Sequence, residues 1–131
     1  MVQLERMLNV LVIDNEDKIC LLIKTILKLY PYFDSIMTAD SAFTGLQKMQ
    51  NQDFDLVIVD QVMPTKDGLS FIEQSMRTLK FKNIKYILIS GYLKEEDVHR
   101  ALQLGVQNVL VKPFTKQQLL EKIAGIYKID F

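Results

Sequence analysis

Four polar residues stand where short apolar runs stop. Asp14, with Asn15 and Glu16 behind it, follows Val10–Ile13; Asp60 follows Leu56–Val59; Ser90 follows Tyr86–Ile89; Lys112 follows Val109–Val111. Taken singly, each reads as an ordinary turn or cap at the exit from a core. Taken together they supply carboxylates, a hydroxyl and an ammonium. Carboxylate, amide and carbonyl oxygens suit Mg2+, which keeps several waters and takes only one or two protein carboxylates. A carboxylate can also be the nucleophile that forms an acyl phosphate. Lysine adds charge compensation, and a hydroxyl donates to a phosphoryl oxygen. The set points to phosphoryl chemistry with a hard metal, provided the fold brings the four run ends together.

The runs themselves are apolar on both faces and rich in β-branched residues, as in strands of a parallel sheet covered on both sides. Ser35–Ala39 is more polar and suits an edge strand. Between these runs the apolar residues recur with helical period. Ile19, Leu22, Ile23, Ile26, Leu27 and Tyr30 form one stripe, which Pro31 stops. Ala42, Leu46 and Met49 form a second, with Asp40 or Ser41 as N-cap. Leu69, Ile72 and Met76 form a third; Val98, Ala101 and Leu102 a fourth, with Gly105 at its C-terminus. Leu119, Ile123 and Ile126 form the last, opened by Thr115. Five β-α repeats of this kind make a parallel sheet with helices on both faces and right-handed crossovers. Such sheets bind ligands beyond the carboxyl ends of their strands, where the four polar residues stand. Periodicity alone leaves the strand order open.

At 131 residues the chain suits a single domain over residues 1–131, large enough to bury a real core. Sixteen basic and sixteen acidic residues cancel, and no basic face is clustered, which argues against direct nucleic-acid binding. Lys80, Lys82 and Lys85 read as solvated loop charges. The lone cysteine, Cys20, excludes an internal disulfide and a cysteine-based zinc site, and reads as a buried thiol. Met1–Leu8 carries no signal-peptide pattern, and no run approaches the roughly 20 apolar residues of a membrane span. A cytoplasmic protein with no membrane insertion is expected. His99 has no partner at metal-ligand spacing, Asp53 and Asp55 read as loop residues, and Met37, Met63 and Met76 read as core.

The blocks VLVIDNED, DLVIVDQVMPTKDG, YILISG and VLVKPF, in that order and spacing, resemble the receiver domain of bacterial response regulators, of the chemotaxis-regulator type. The likeness covers essentially the whole chain. Its most specific parts are Asp60, Met63, Pro64 and Gly68, and then Lys112, Pro113 and Phe114. The resemblance implies a flavodoxin-like, doubly wound (βα)5 fold with strand order 2-1-3-4-5. It implies Asp60 as phosphoacceptor of a two-component system or phosphorelay. Asp14, Asn15, Asp60 and the backbone carbonyl of Val62 would hold Mg2+. Ser90 would bond the phosphoryl group, Lys112 would pair with it or with Asp60, and the Lys112–Pro113 peptide would be cis. Partners would be a sensor histidine kinase or phosphotransfer protein, and a downstream protein. The latter would read the face built from the fourth helix, fifth strand and fifth helix. Monomer and weak dimer are both compatible with the family.

Two positions depart from the family pattern. Asn15 stands where a second acid normally ligates Mg2+, and an uncharged amide lowers affinity or abolishes binding; Glu16 and Asp17 are the nearby acids that could compensate, and Asp17 reads equally as a helix N-cap. Val109 stands where many members carry the Tyr or Phe that moves inward on phosphorylation, and valine cannot reproduce that motion. Tyr92 is either a substitute for the ring or an exposed loop tyrosine. These departures motivate a competing expectation, a degenerate receiver that binds its partner without phosphorylation. A small phosphatase is disfavoured because Val62 stands where a second catalytic acid would be wanted. Beyond phosphorylation and dephosphorylation of Asp60 itself, no enzyme activity is expected.

Overall fold

The computed structural model describes residues 6–131, so the reading of the first eight residues lies largely outside the described part. Five strands and five α-helices alternate: β1 Leu8–Ile13, α1 Asp17–Leu27, β2 Phe33–Ala39, α2 Ala42–Asn51, β3 Leu56–Asp60, α3 Gly68–Met76, β4 Lys85–Ser90, α4 Glu95–Leu104, β5 Val109–Val111 and α5 Lys116–Tyr127. A single 3-10 turn, Leu79–Phe81, precedes β4. All strand pairs are parallel, and the order is β2-β1-β3-β4-β5.

Both faces of the sheet are covered, which is why the central strands carry no polar alternation. Val10 and Val12 face one core with Ile23, Leu27, Leu119 and Ile123 from α1 and α5. Leu11 and Ile13 face the other, with Met49, Leu69, Ile72 and Ala101 from α2, α3 and α4. The more polar β2 lies at the sheet edge, as its composition predicts.

Capping chemistry sets several helix starts. Ser41 rather than Asp40 caps α2, accepting the Thr44 N–H. Thr115 and Gln118 form a reciprocal capping box on α5. Gly105 ends α4 at φ 76°, a left-handed position that glycine adopts without a Cβ clash.

Two helical stripes depart from the sequence reading at single positions, and a third is turned. On α1, Cys20 is buried while Leu22 is exposed. That helix ends at Leu27 and its cap Lys28, before Pro31 is reached. Met76 is exposed at the end of α3. On α4 the buried row is Asp97 and Ala101, and the apolar row beside it, Val98 and Leu102, faces out. The small Ala101 allows close approach to the sheet, so the bulky i, i+4 pair is rotated off the core by one residue, about 100°.

Candidate functional site

The strand ends converge because β1, β3, β4 and β5 run parallel and in register, with Val59 opposite both Ile13 and Leu88. Asp14 follows β1 and is wholly buried; its N–H still bonds Ala39 O, 3.0 Å away. Asp60 is the last residue of β3 and Ser90 the last of β4; they are 3% and 1% exposed. Lys112 follows β5, its N–H bonding Ser90 O at 2.8 Å, and its peptide to Pro113 is cis.

The Lys112 ammonium lies 2.8 Å from Glu16 Oε1, 3.0 Å from Asp14 Oδ2 and 3.4 Å from Asp60 Oδ2. Burial disfavours its charge, but the hydrogen bond to Glu16 and the adjacent Asp14 carboxylate outweigh that and raise its pKa. Glu16 occupies the N-cap position of α1 without capping it, so its carboxylate is free to reach the lysine, which holds its pKa down. Burial, and then the nearby Asp14 charge, push the Asp60 carboxyl up to about 6 against the pull of Lys112.

Oxygens of Asp14, Glu16 and Asp60 lie within 4.8 Å of one another. Three carboxylates against one ammonium leave a local excess of negative charge. Asp14 Oδ1 accepts the Glu16 N–H at 2.8 Å, whereas buried Oδ2 has the lysine's charge beside it but no hydrogen bond. An acidic, all-oxygen cluster of this kind fits a hard divalent cation.

The other expected site residues are placed as follows. The Asn15 side chain lies on the exposed side of the β1–α1 turn, and Glu16 supplies the second acid of the turn. Val62 has its side chain exposed, and Tyr92 is 77% exposed. The Tyr92 backbone N–H donates to Ser90 Oγ at 3.2 Å. Val109 is half-buried against the second core.

Sequence reasoning did not single out Gln61. It is 4% exposed and ties the loop after Asp60: its N–H donates to Ile89 O, its carbonyl accepts the Gly68 N–H, and its Oε1 accepts the Leu69 N–H. Gly68 packs so closely that a Cβ would fall inside contact distance of the Asp60 carbonyl oxygen and 2.9 Å from Leu88 Cδ1. Asp67 and Arg100 form a bidentate pair from α3 to α4. The Asp67–x–x–Ser70 pattern was a readable cap signal; Arg100 had none. Asp55, read as a loop residue, accepts the Asn9 N–H and pairs with Arg6 at the opposite end of the sheet.

Among known proteins, the family model for the response regulator receiver domain matches residues 10–124. The chemotaxis protein CheY-3 of Vibrio cholerae is 28% identical over 125 residues, covering 95% of each chain. A CheY-like receiver domain protein from Methanospirillum hungatei superposes with a TM-score of 0.84 at 27% identity, covering 93% of this chain and 94% of that one. A chain of the CheX–CheY–BeF3–Mg2+ complex from Borrelia burgdorferi gives 0.81 at 27% identity, covering 92% and 89%.

Proposed function

Because this chain belongs to the response regulator receiver domain family, we propose that it is a phosphorylation-controlled switch whose phosphoacceptor is Asp60. The observation that carries this reading is the convergence of Asp14, Glu16, Asp60 and Lys112 at the carboxyl end of the sheet. An Asp60 carboxylate oxygen attacks the phosphorus of a phosphohistidine on a sensor kinase or phosphotransfer protein. The new O–P bond forms as the N–P bond breaks, and the imidazole leaves with a solvent proton. Water later cleaves the acyl phosphate and restores Asp60. This cycle is a signal, not turnover of an external substrate.

Asp14, Glu16 and Asp60 would hold a Mg2+ ion, with the Val62 carbonyl and Asn15 amide as further oxygens. Bound there, the ion supplies positive charge opposite the phosphoryl oxygens. Lys112 neutralises the carboxylates and stands ready to pair with the transferred group. Ser90 donates its hydroxyl to a phosphoryl oxygen once that hydroxyl turns from the Tyr92 N–H. The added charge biases the α4-β5-α5 face, which a downstream protein reads. Exposed Tyr92, Val98, Leu102 and Val111 give that face an apolar surface.

The structural neighbour captured with BeF3 and Mg2+ motivates the probe. Beryllofluoride with Mg2+ should move amide resonances around Asp60, Ser90 and Val109; a spectrum in which none moves would sink the reading. Asn15 and Val109 favour the second reading, a degenerate receiver that binds without phosphorylation. Its signature is partner binding unchanged by Asp60→Ala.

A further inference from the structure

A polar network away from the carboxylate cluster joins α3 to α4. Asp67 caps α3, its Oδ1 accepting the Ser70 N–H at 2.8 Å. From α4, Arg100 donates to Asp67 Oδ2 at 2.9 Å and to Oδ1 at 3.2 Å, and to Ser70 Oγ at 2.8 Å. Asp97, one turn earlier on α4, stands 3.7 Å from the same guanidinium. Burial works against the Asp67 charge, but the bonds from Arg100 and Ser70 outweigh it and hold the carboxyl down to about 2. The pair is therefore charged throughout the physiological range.

The other end of this network abuts the phosphoacceptor. Gly68, next to Asp67, has its Cα pressed against the Asp60 carbonyl with no room for a methyl between them. Its N–H bonds Gln61 O at 3.0 Å. A shift of the Asp60 main chain is thus passed to Gly68 and the Asp67 cap rather than absorbed by slack. At the receiving end, α4 is thinly held. Its buried residues are Asp97 and Ala101, while Val98 and Leu102 face outward. A helix with so few apolar contacts is easily biased by one directional bond. The ring that many family members use for this coupling is absent at Val109.

We propose that the Arg100–Asp67 pair is the link through which the state of Asp60 sets the position of α4. It takes the place of the missing strand-five ring. The inference rests on the phosphoacceptor reading above. Arg100 acts as a positioning residue: its planar fork fixes both distance and orientation, which a lysine's single ammonium does not.

The test compares wild type, Arg100→Ala and Arg100→Lys by amide chemical shifts, each with and without beryllofluoride and Mg2+. Shifts at Asp60, Gln61 and Gly68 are expected to persist in all three. Shifts across residues 95–104 should fall at least threefold in Arg100→Ala and part of the way in Arg100→Lys. A merely structural role would lower thermal stability and leave the α4 response of the folded protein at full size. That outcome overturns the inference and leaves the phosphoacceptor reading standing. A wild type unresponsive at Asp60 removes that reading, and this one with it. Should Arg100→Ala fail to fold, Asp67→Asn keeps the cap, weakens the grip, and must show the same selective loss at α4.

Discussion

Lys112 Nζ stands closer to Asp14 Oδ2, at 3.0 Å, than to Asp60 Oδ2, at 3.4 Å, and its shortest contact, 2.8 Å, is to Glu16. The lysine is thus held on the two acids of the β1–α1 turn, beside Asp60 rather than on it. The arrangement leaves Asp60 with a weakly held counter-charge in a buried site, and its carboxyl is pushed up to about 6 by burial first and by Asp14 second.

Replacing Asp60 by Asn removes one of three clustered negative charges without changing the side chain's shape. In the absence of divalent cations this should stabilise the fold by roughly 1–2 kcal/mol, since burying like charges is costly. Urea denaturation in EDTA checks it. Added Mg2+ should narrow or reverse the gap, because an ion that binds only the folded wild type stabilises it by mass action.

Glu16 joins Asp14 and Asp60 in the carboxylate cluster, and Asn15 beside it carries no charge. Glu16→Gln should weaken Mg2+ affinity about tenfold, and Asn15→Asp should strengthen it by a similar factor, on the order of 1.4 kcal/mol each. Titrating Mg2+ against amide shifts near Asp14 and Asp60 reads both. If Glu16→Gln left affinity unchanged, Glu16 would be a partner of Lys112 alone.

Gly68→Ala forces a methyl against the Asp60 carbonyl and Leu88. A main-chain oxygen and a core leucine cannot both yield, so a loss of about 1–3 kcal/mol is expected. Equilibrium unfolding measures it. A loss below about 0.5 kcal/mol would mean that the β3–α3 connection is far looser than its hydrogen bonds indicate.

Asp67 has a carboxyl held down to about 2. Its folded pKa lies below the unfolded value of about 3.9, so its contribution is present above pH 4 and is lost as pH falls towards 2. Asp67 and Arg100 are each about one-third exposed, so solvent screening trims the contribution to about 1 kcal/mol. Asp67→Asn preserves the cap. The stability gap between it and wild type should be constant from pH 7 to 5 and shrink between 4 and 2; a gap independent of pH would exclude the ion pair as its source.

Thr65, in the loop that follows Asp60, has φ 73°. A β-branched residue in the left-handed region is strained. Thr65→Gly should therefore stabilise the fold by about 1 kcal/mol, the relief outweighing glycine's extra unfolded-state entropy. Thermal unfolding decides the sign.

Much of this molecule is written locally. Two-sided apolar runs announce buried parallel strands, the Asp40–Ser41 pair and Thr115 announce helix starts, and Gly105 announces a helix end, because strand burial and capping depend on residues adjacent in the chain. The residues that end those runs, Asp14, Asp60, Ser90 and Lys112, were legible for the same reason. Which acid completes the cluster was decided only in three dimensions. Asn15 and Glu16 are neighbours in sequence, and the turn into α1 points Glu16 towards Lys112, 96 residues away. The face of α4 was also settled by packing: Ala101 faces the core, and the larger Val98 and Leu102 are turned outward. Arg100 gave no sign of its role, because a basic residue on a helix looks like any solvated charge until a helix from elsewhere in the chain brings Asp67 to it. Contacts between remote segments depend on how the layers stack, and no local pattern carries that information.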